Sequence, residues 1–119
     1  MTDKAGIDAA QAASVILASL DEDKAEDIVS IDIAGKSSVA DAIIVASGRS
    51  QRHVAALAEH VMEKLKQAGG DARAEGLPSA DWVLIDAGDV IVHLFRPEVR
   101  AFYNIEKIWL PVSAKPSAA

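Results

Sequence analysis

Ala42-Ile43-Ile44-Val45-Ala46-Ser47-Gly48-Arg49-Ser50 decides how this chain folds. Five apolar residues run without a polar break, so the segment reads as a strand covered on both faces and set in the middle of a sheet. The Ser-Gly-Arg-Ser step that follows is a tight strand-to-helix passage, with Ser50 placed as N-cap. Beyond it Val54, Leu57, Ala58, Val61 and Leu65 recur on one face of a helix, and Gly69 with Gly70 ends it.

Working outward toward the N-terminus, Val29, Ile31 and Ile33 alternate with Ser30 and Asp32, the pattern of a strand with one wet face. Gly35 to Ser38 reads as a turn. Before the strand, Ile7, Ala10, Ala13, Ile16, Leu17 and Leu20 fall at helical spacing, and the polar run Asp21 to Lys24 is expected to close that helix.

Toward the C-terminus, Ala72 to Leu77 reads as a short extended piece. Trp82 to Ile85 and Val90 to Phe95 flank Asp86, Ala87, Gly88 and Asp89 as the arms of a hairpin. Pro97 stands at a natural first helical position, with Val99, Phe102 and Tyr103 as the buried side of a short helix. Ile105, Ile108, Trp109 and Leu110 add an apolar segment, and 113–119 reads as a loose tail. The expectation is a mixed α/β (α+β) domain over 1–112, with a four- to five-stranded mixed sheet flanked by helices.

With 119 residues and no Cys, the chain has room for one domain and excludes disulfide or thiol chemistry. The net charge of -6 resides in residues 1–32, where 8 acids face 2 bases; the remainder balances. A long-range pull on nucleic acid is therefore not expected. Neither a long apolar span nor a signal-peptide pattern is seen, and a cytoplasmic protein is the default.

Candidate chemistry is sparse. His53 and His60 lie seven apart on the second helix near Glu63, which is not a zinc-binding spacing, and they read as solvated or capping side chains. His93 sits inside a strand, where a structural hydrogen bond suits it better than general-base work. Gly48-Arg49-Ser50 could cradle a phosphate at a helix start, as in nucleotidyl transferases. The paired carboxylates that such chemistry needs for Mg²⁺ are missing, and Asp86 and Asp89 suit turn amides better. No cofactor, metal or catalytic residue is assigned. Trp82, Arg96, Arg100, Phe102, Tyr103, Lys107 and Trp109 instead make the aromatic and basic inventory that protein interfaces use.

Two stretches, Ala40 to Val54 and Trp82 to Trp109, closely resemble the ribosomal silencing factor family, also called Iojap-like proteins; the resemblance spans about residues 7–111. It implies a sheet related to the nucleotidyl transferase fold without its catalysis. It also implies a translational repressor that binds the large ribosomal subunit through a protein of the L-fourteen type and blocks joining of the small subunit. On this resemblance Trp82, Arg100, Tyr103, Glu106 and Lys107 belong to the protein contact. Gly48, Gly88 and Pro97 match positions set by backbone geometry, and Asp86, Asp89, His93 and Arg96 would form a supporting polar network. Ala42 stands where members often carry an aromatic residue. A homodimer, paired through a sheet edge or the Ala-rich first helix, is a further expectation.

Overall fold

The computed structural model describes residues 7–36, 38, 40–77 and 79–103, the last three by backbone alone. Glu106, Lys107, the apolar segment 105–110 and the tail 113–119 lie outside the described residues, as does the side chain of Tyr103. The elements run α1 (Ala9–Glu22), β1 (Glu26–Asp32), β2 (Ala42–Ser47), α2 (Gln51–Gln67), β3 (Arg73–Glu75), β4 (Trp82–Asp86), β5 (Val90–Phe95) and α3 (Pro97–Tyr103). No described helix is long and apolar enough to cross a membrane.

The five strands form one mixed sheet in the order β1-β2-β5-β4-β3. Only β2 and β5 are parallel, which is why a helix must intervene between them; the other pairs are antiparallel. The expectation for β2 is met in burial and shifted in position. Residues 43–47 are all buried, yet β5 occupies the middle of the sheet and β2 lies beside it.

Successive side chains on a strand alternate between faces, so each strand feeds two cores. Ile44, Ala46, Val83, Ile85, Val90, Val92 and Leu94 meet α1 and α2 on one face. Ile43, Val45, Ile31 and Phe95 gather on the other, with Trp82, Ile91 and Val99 packed against them. Helix α2 buries Val54, Leu57, Ala58, Val61 and Leu65, the residues its period selects, and Ser50 accepts from the His53 amide as its cap.

Helix α1 departs from its expected stripe. Asp8 caps it in a reciprocal box with Gln11, which leaves Ile7 outside the helix, while the C-terminus falls at Glu22 with Asp23 as C-cap, inside the polar run expected to close it. The buried side is Ala12, Ile16, Ser19 and Leu20, whereas Ala10 is exposed. Alanine is compatible with either face, so the five alanines of this helix carry little information about its rotation.

Candidate interaction site

The hairpin register builds the site. Trp82 pairs with Phe95 and Leu84 with His93, which brings an indole, a phenyl ring and an imidazole onto the sheet face opposite α1 and α2. Trp82 stacks on Phe95 with ring centroids 5.0 Å apart, and its Nε1–H donates to His93 Nδ1 at 3.1 Å. An indole nitrogen only donates, so His93 Nδ1 must accept and its proton sits on Nε2. His93 is 8% exposed, and burial pushes its pKa below the usual histidine value. Phe95 is fully enclosed while Trp82 is half-buried, leaving part of the indole at the surface.

One position beyond the Trp82–Phe95 pair, Asp81 faces Arg96. Arg96 Nε donates to Asp81 Oδ1 at 2.8 Å, and its backbone N–H donates to the Asp81 carbonyl at 3.1 Å. Gln51 Nε2 donates to the same carboxylate oxygen at 2.9 Å; the Gln51 amide and the Arg96 guanidinium hold the Asp81 carboxyl below its ordinary range. The other arm of Arg96 meets Glu98 in the first turn of α3 at 2.8 Å. Asp81 is not singled out by the sequence; its place opposite Arg96 follows from the observed register, which pairs Trp82 with Phe95.

Pro97 opens α3 as expected. Three residues on, Arg100 turns inward: its NH1 donates to the Asp27 carbonyl at 2.7 Å and to Ser47 Oγ at 2.9 Å. Asp27 sits in a bulge, where the β1–β2 register shifts between Glu26 and Val29, and has φ 51°. Nothing local in the sequence ties Arg100 to a residue 73 positions earlier.

The expected polar network separates into two ends. Asp86 accepts from the Gly88 amide at 2.9 Å, with Gly88 at φ 84°, while the Asp89 carbonyl takes the Asp41 amide at 2.7 Å. His93 and Arg96 lie at the opposite end, with Trp82 and Asp81. The antiparallel register forces this division, because Asp86 faces Ile91 and not the strand's C-terminal end.

Three amides at the helix start around Gly48-Arg49-Ser50 are engaged within the protein. The Gly48 amide donates to the Phe95 carbonyl at 2.9 Å, the Arg49 amide to His53 Nδ1 at 2.9 Å and the His53 amide to Ser50 Oγ at 3.1 Å. Those N–H groups are not available to a phosphate. His53 Nε2 in turn donates to the Asp23 carbonyl at 3.0 Å, and His60 pairs with the Asp23 carboxylate, so both histidines fasten the end of α1 to α2. Among the described residues no three His, Asp or Glu side chains form a metal-binding group.

A family model described as "RsfS: Ribosomal silencing factor during starvation" matches residues 7–118. The Ribosomal silencing factor RsfS of Zymomonas mobilis is 58% identical over 92 residues, spanning 76% of this chain and 69% of its own. That of Chromobacterium violaceum is 46% identical over 101 residues, or 84% of this chain and 81% of its own. A crystal structure of a Chromobacterium violaceum protein superposes with a TM-score of 0.84 at 41% identity, covering 87% of each chain. Matched over most of its length in sequence and in fold, this chain belongs to the RsfS family of ribosomal silencing factors.

Proposed function

We propose that the protein represses translation by binding the large ribosomal subunit through a ribosomal protein of the L-fourteen type, thereby blocking the small subunit from joining. The observation that carries this reading is the half-buried Trp82, held by His93 and Phe95 on the sheet face away from α1 and α2, beside the start of α3. A large ring fixed before binding loses little conformational freedom on docking, which is what an interface anchor requires. Tyr103 on α3, with Glu106 and Lys107 beyond it, completes the contact by the family resemblance.

Silencing of this kind is steric. Members of the family are not enzymes, and the mechanism needs neither cofactor nor chemical step. Nucleotide binding, the alternative that the helix start suggested, is disfavoured because the Gly48, Arg49 and His53 amides are already engaged by Phe95, His53 and Ser50. On the same reading the layered sheet keeps the architecture of nucleotidyl transferases without their catalysis. The chain works in the cytoplasm as a single domain over 1–112 and can pair with a second copy.

The test is sucrose-gradient sedimentation with separated subunits, followed by addition of the missing one. Selective migration with the large subunit and fewer whole ribosomes is the expected result. Migration with neither subunit would overturn the reading. Lys107→Glu should weaken large-subunit binding and leave the fold intact.

A further inference from the structure

We propose that Arg100 is a positioning residue for the ribosome contact, acting by clamping α3 to the sheet and not by touching the partner. This rests on the function proposed above. The described part of helix α3, Pro97–Tyr103, is tied to the rest of the fold by tertiary contacts. Its first turn is fixed through Arg96 to Asp81, and Val99 packs against the core that contains Phe95. Rotation about that attachment is checked by Arg100, whose NH1 spans from the helix to two strands at once, the Asp27 carbonyl of β1 and the Ser47 hydroxyl of β2.

Both acceptors look made for this purpose. Ser47 is the last residue of β2, is 1% exposed, and pairs across the sheet with both Glu26 and Phe95. Asp27 occupies the bulge, with a left-handed backbone that a non-glycine residue adopts only at a cost; the bond from Arg100 helps offset it. A guanidinium committed to acceptors on two strands fixes the direction of α3, and hence where Tyr103 is presented.

Ser47 separates this role from direct contact. Being 1% exposed, it cannot reach a ribosomal protein, so any effect of Ser47→Ala on binding must pass through its neighbours. Amide exchange in the free protein should quicken in residues 99–103 of both Ser47→Ala and Arg100→Ala, with the β5 amides unchanged. Large-subunit affinity should fall about five-fold in Ser47→Ala, the worth of one hydrogen bond. The double variant should bind no worse than Arg100→Ala, since both changes break one unit.

Arg100→Ala binding weakly while Ser47→Ala binds like the wild type would overturn the inference and make Arg100 a direct contact. Unchanged α3 exchange in Arg100→Ala would overturn it as well. If the wild type fails to bind the large subunit, the proposed function falls, whereas exchange in the free protein still decides whether Arg100 clamps α3.

Discussion

The Trp82 indole N–H donates to Nδ1 of His93 at 3.1 Å, and this bond couples the anchor of the proposed interface to the protonation state of a buried imidazole. Protonating Nδ1 would set one N–H against another and break the contact.

That coupling gives a pH dependence with a definite sign. Burial lowers the His93 pKa from 6.5, so near and below pH 6.5 the unfolded chain takes up a proton that the native chain refuses. Stability should therefore fall as the medium is acidified through that range. His60 works in the opposite direction: its bond with the Asp23 carboxylate, and the charge of that group, raise its pKa above 6.5. Its contribution is present below 6.5 and is lost as pH rises through the raised value. In urea titrations across this range, His93→Gln should lessen the loss on the acid side. His60→Gln should remove a contribution that the wild type has at low pH and lacks at high pH. A His93→Gln profile parallel to the wild type's would refute the coupling.

Helix α2 was legible in advance because its apolar residues are large and regularly spaced; the hairpin was legible because two β-branched runs flank a short polar loop. Helix α1 was not, since alanine suits a buried or an exposed position, and the cap at Asp8 reset its start. The site divides in the same way. Trp82 and His93 are singled out on the hairpin's own strands, whereas Asp81 is not, because its place opposite Arg96 depends on a register that the apolar pattern does not set. The inward turn of Arg100 depends on a bulge at Asp27, and a bulge leaves no mark in the pattern of apolar residues.

Ser19 is a liability in α1. It is 2% exposed, and its Oγ has no hydrogen-bond partner among the described residues. A buried hydroxyl without a partner keeps its desolvation cost, and alanine is the better helix former. Ser19→Ala should raise the unfolding free energy by about 1 kcal/mol. Chemical denaturation with an unchanged m-value is the check, and a loss of stability would mean that the hydroxyl is satisfied.

The Asp81 carboxyl should report on the joint between the hairpin and α3. Gln51 and Arg96 both hold it in the ionised form, so Gln51→Ala and Arg96→Met should each move its titration upward toward 3.8. Because its folded pKa is lowered, its contribution to stability exists above 3.8 and fades as pH falls through the folded value. Carboxyl-carbon chemical shifts followed through acid titration would show this. A titration unmoved in both variants would remove Asp81 from the joint.

Gly48 and Gly88 should respond differently to the same substitution, because they are glycine for different reasons. At Gly48 a Cβ would stand 2.8 Å from Val54 Cγ2 and 3.0 Å from the Val54 amide nitrogen, so the strand-to-helix step could not keep its close approach to α2. Val54 is fully buried and part of the larger core, which leaves it little room to retreat. Gly48→Ala should therefore cost about 1 to 3 kcal/mol, as overpacking does. At Gly88 the space around a Cβ is open, and only the backbone at φ 84° objects. Gly88→Ala should cost about 1 kcal/mol, the price of a left-handed residue that has a side chain. Asn at 88 should recover part of that loss because it tolerates this conformation, whereas Asn at 48 should be worse than Ala because it is larger. Equal responses at the two sites in thermal or urea unfolding would show that the strand-to-helix step can relax, and that α2 is not held as closely as the contacts of Gly48 imply.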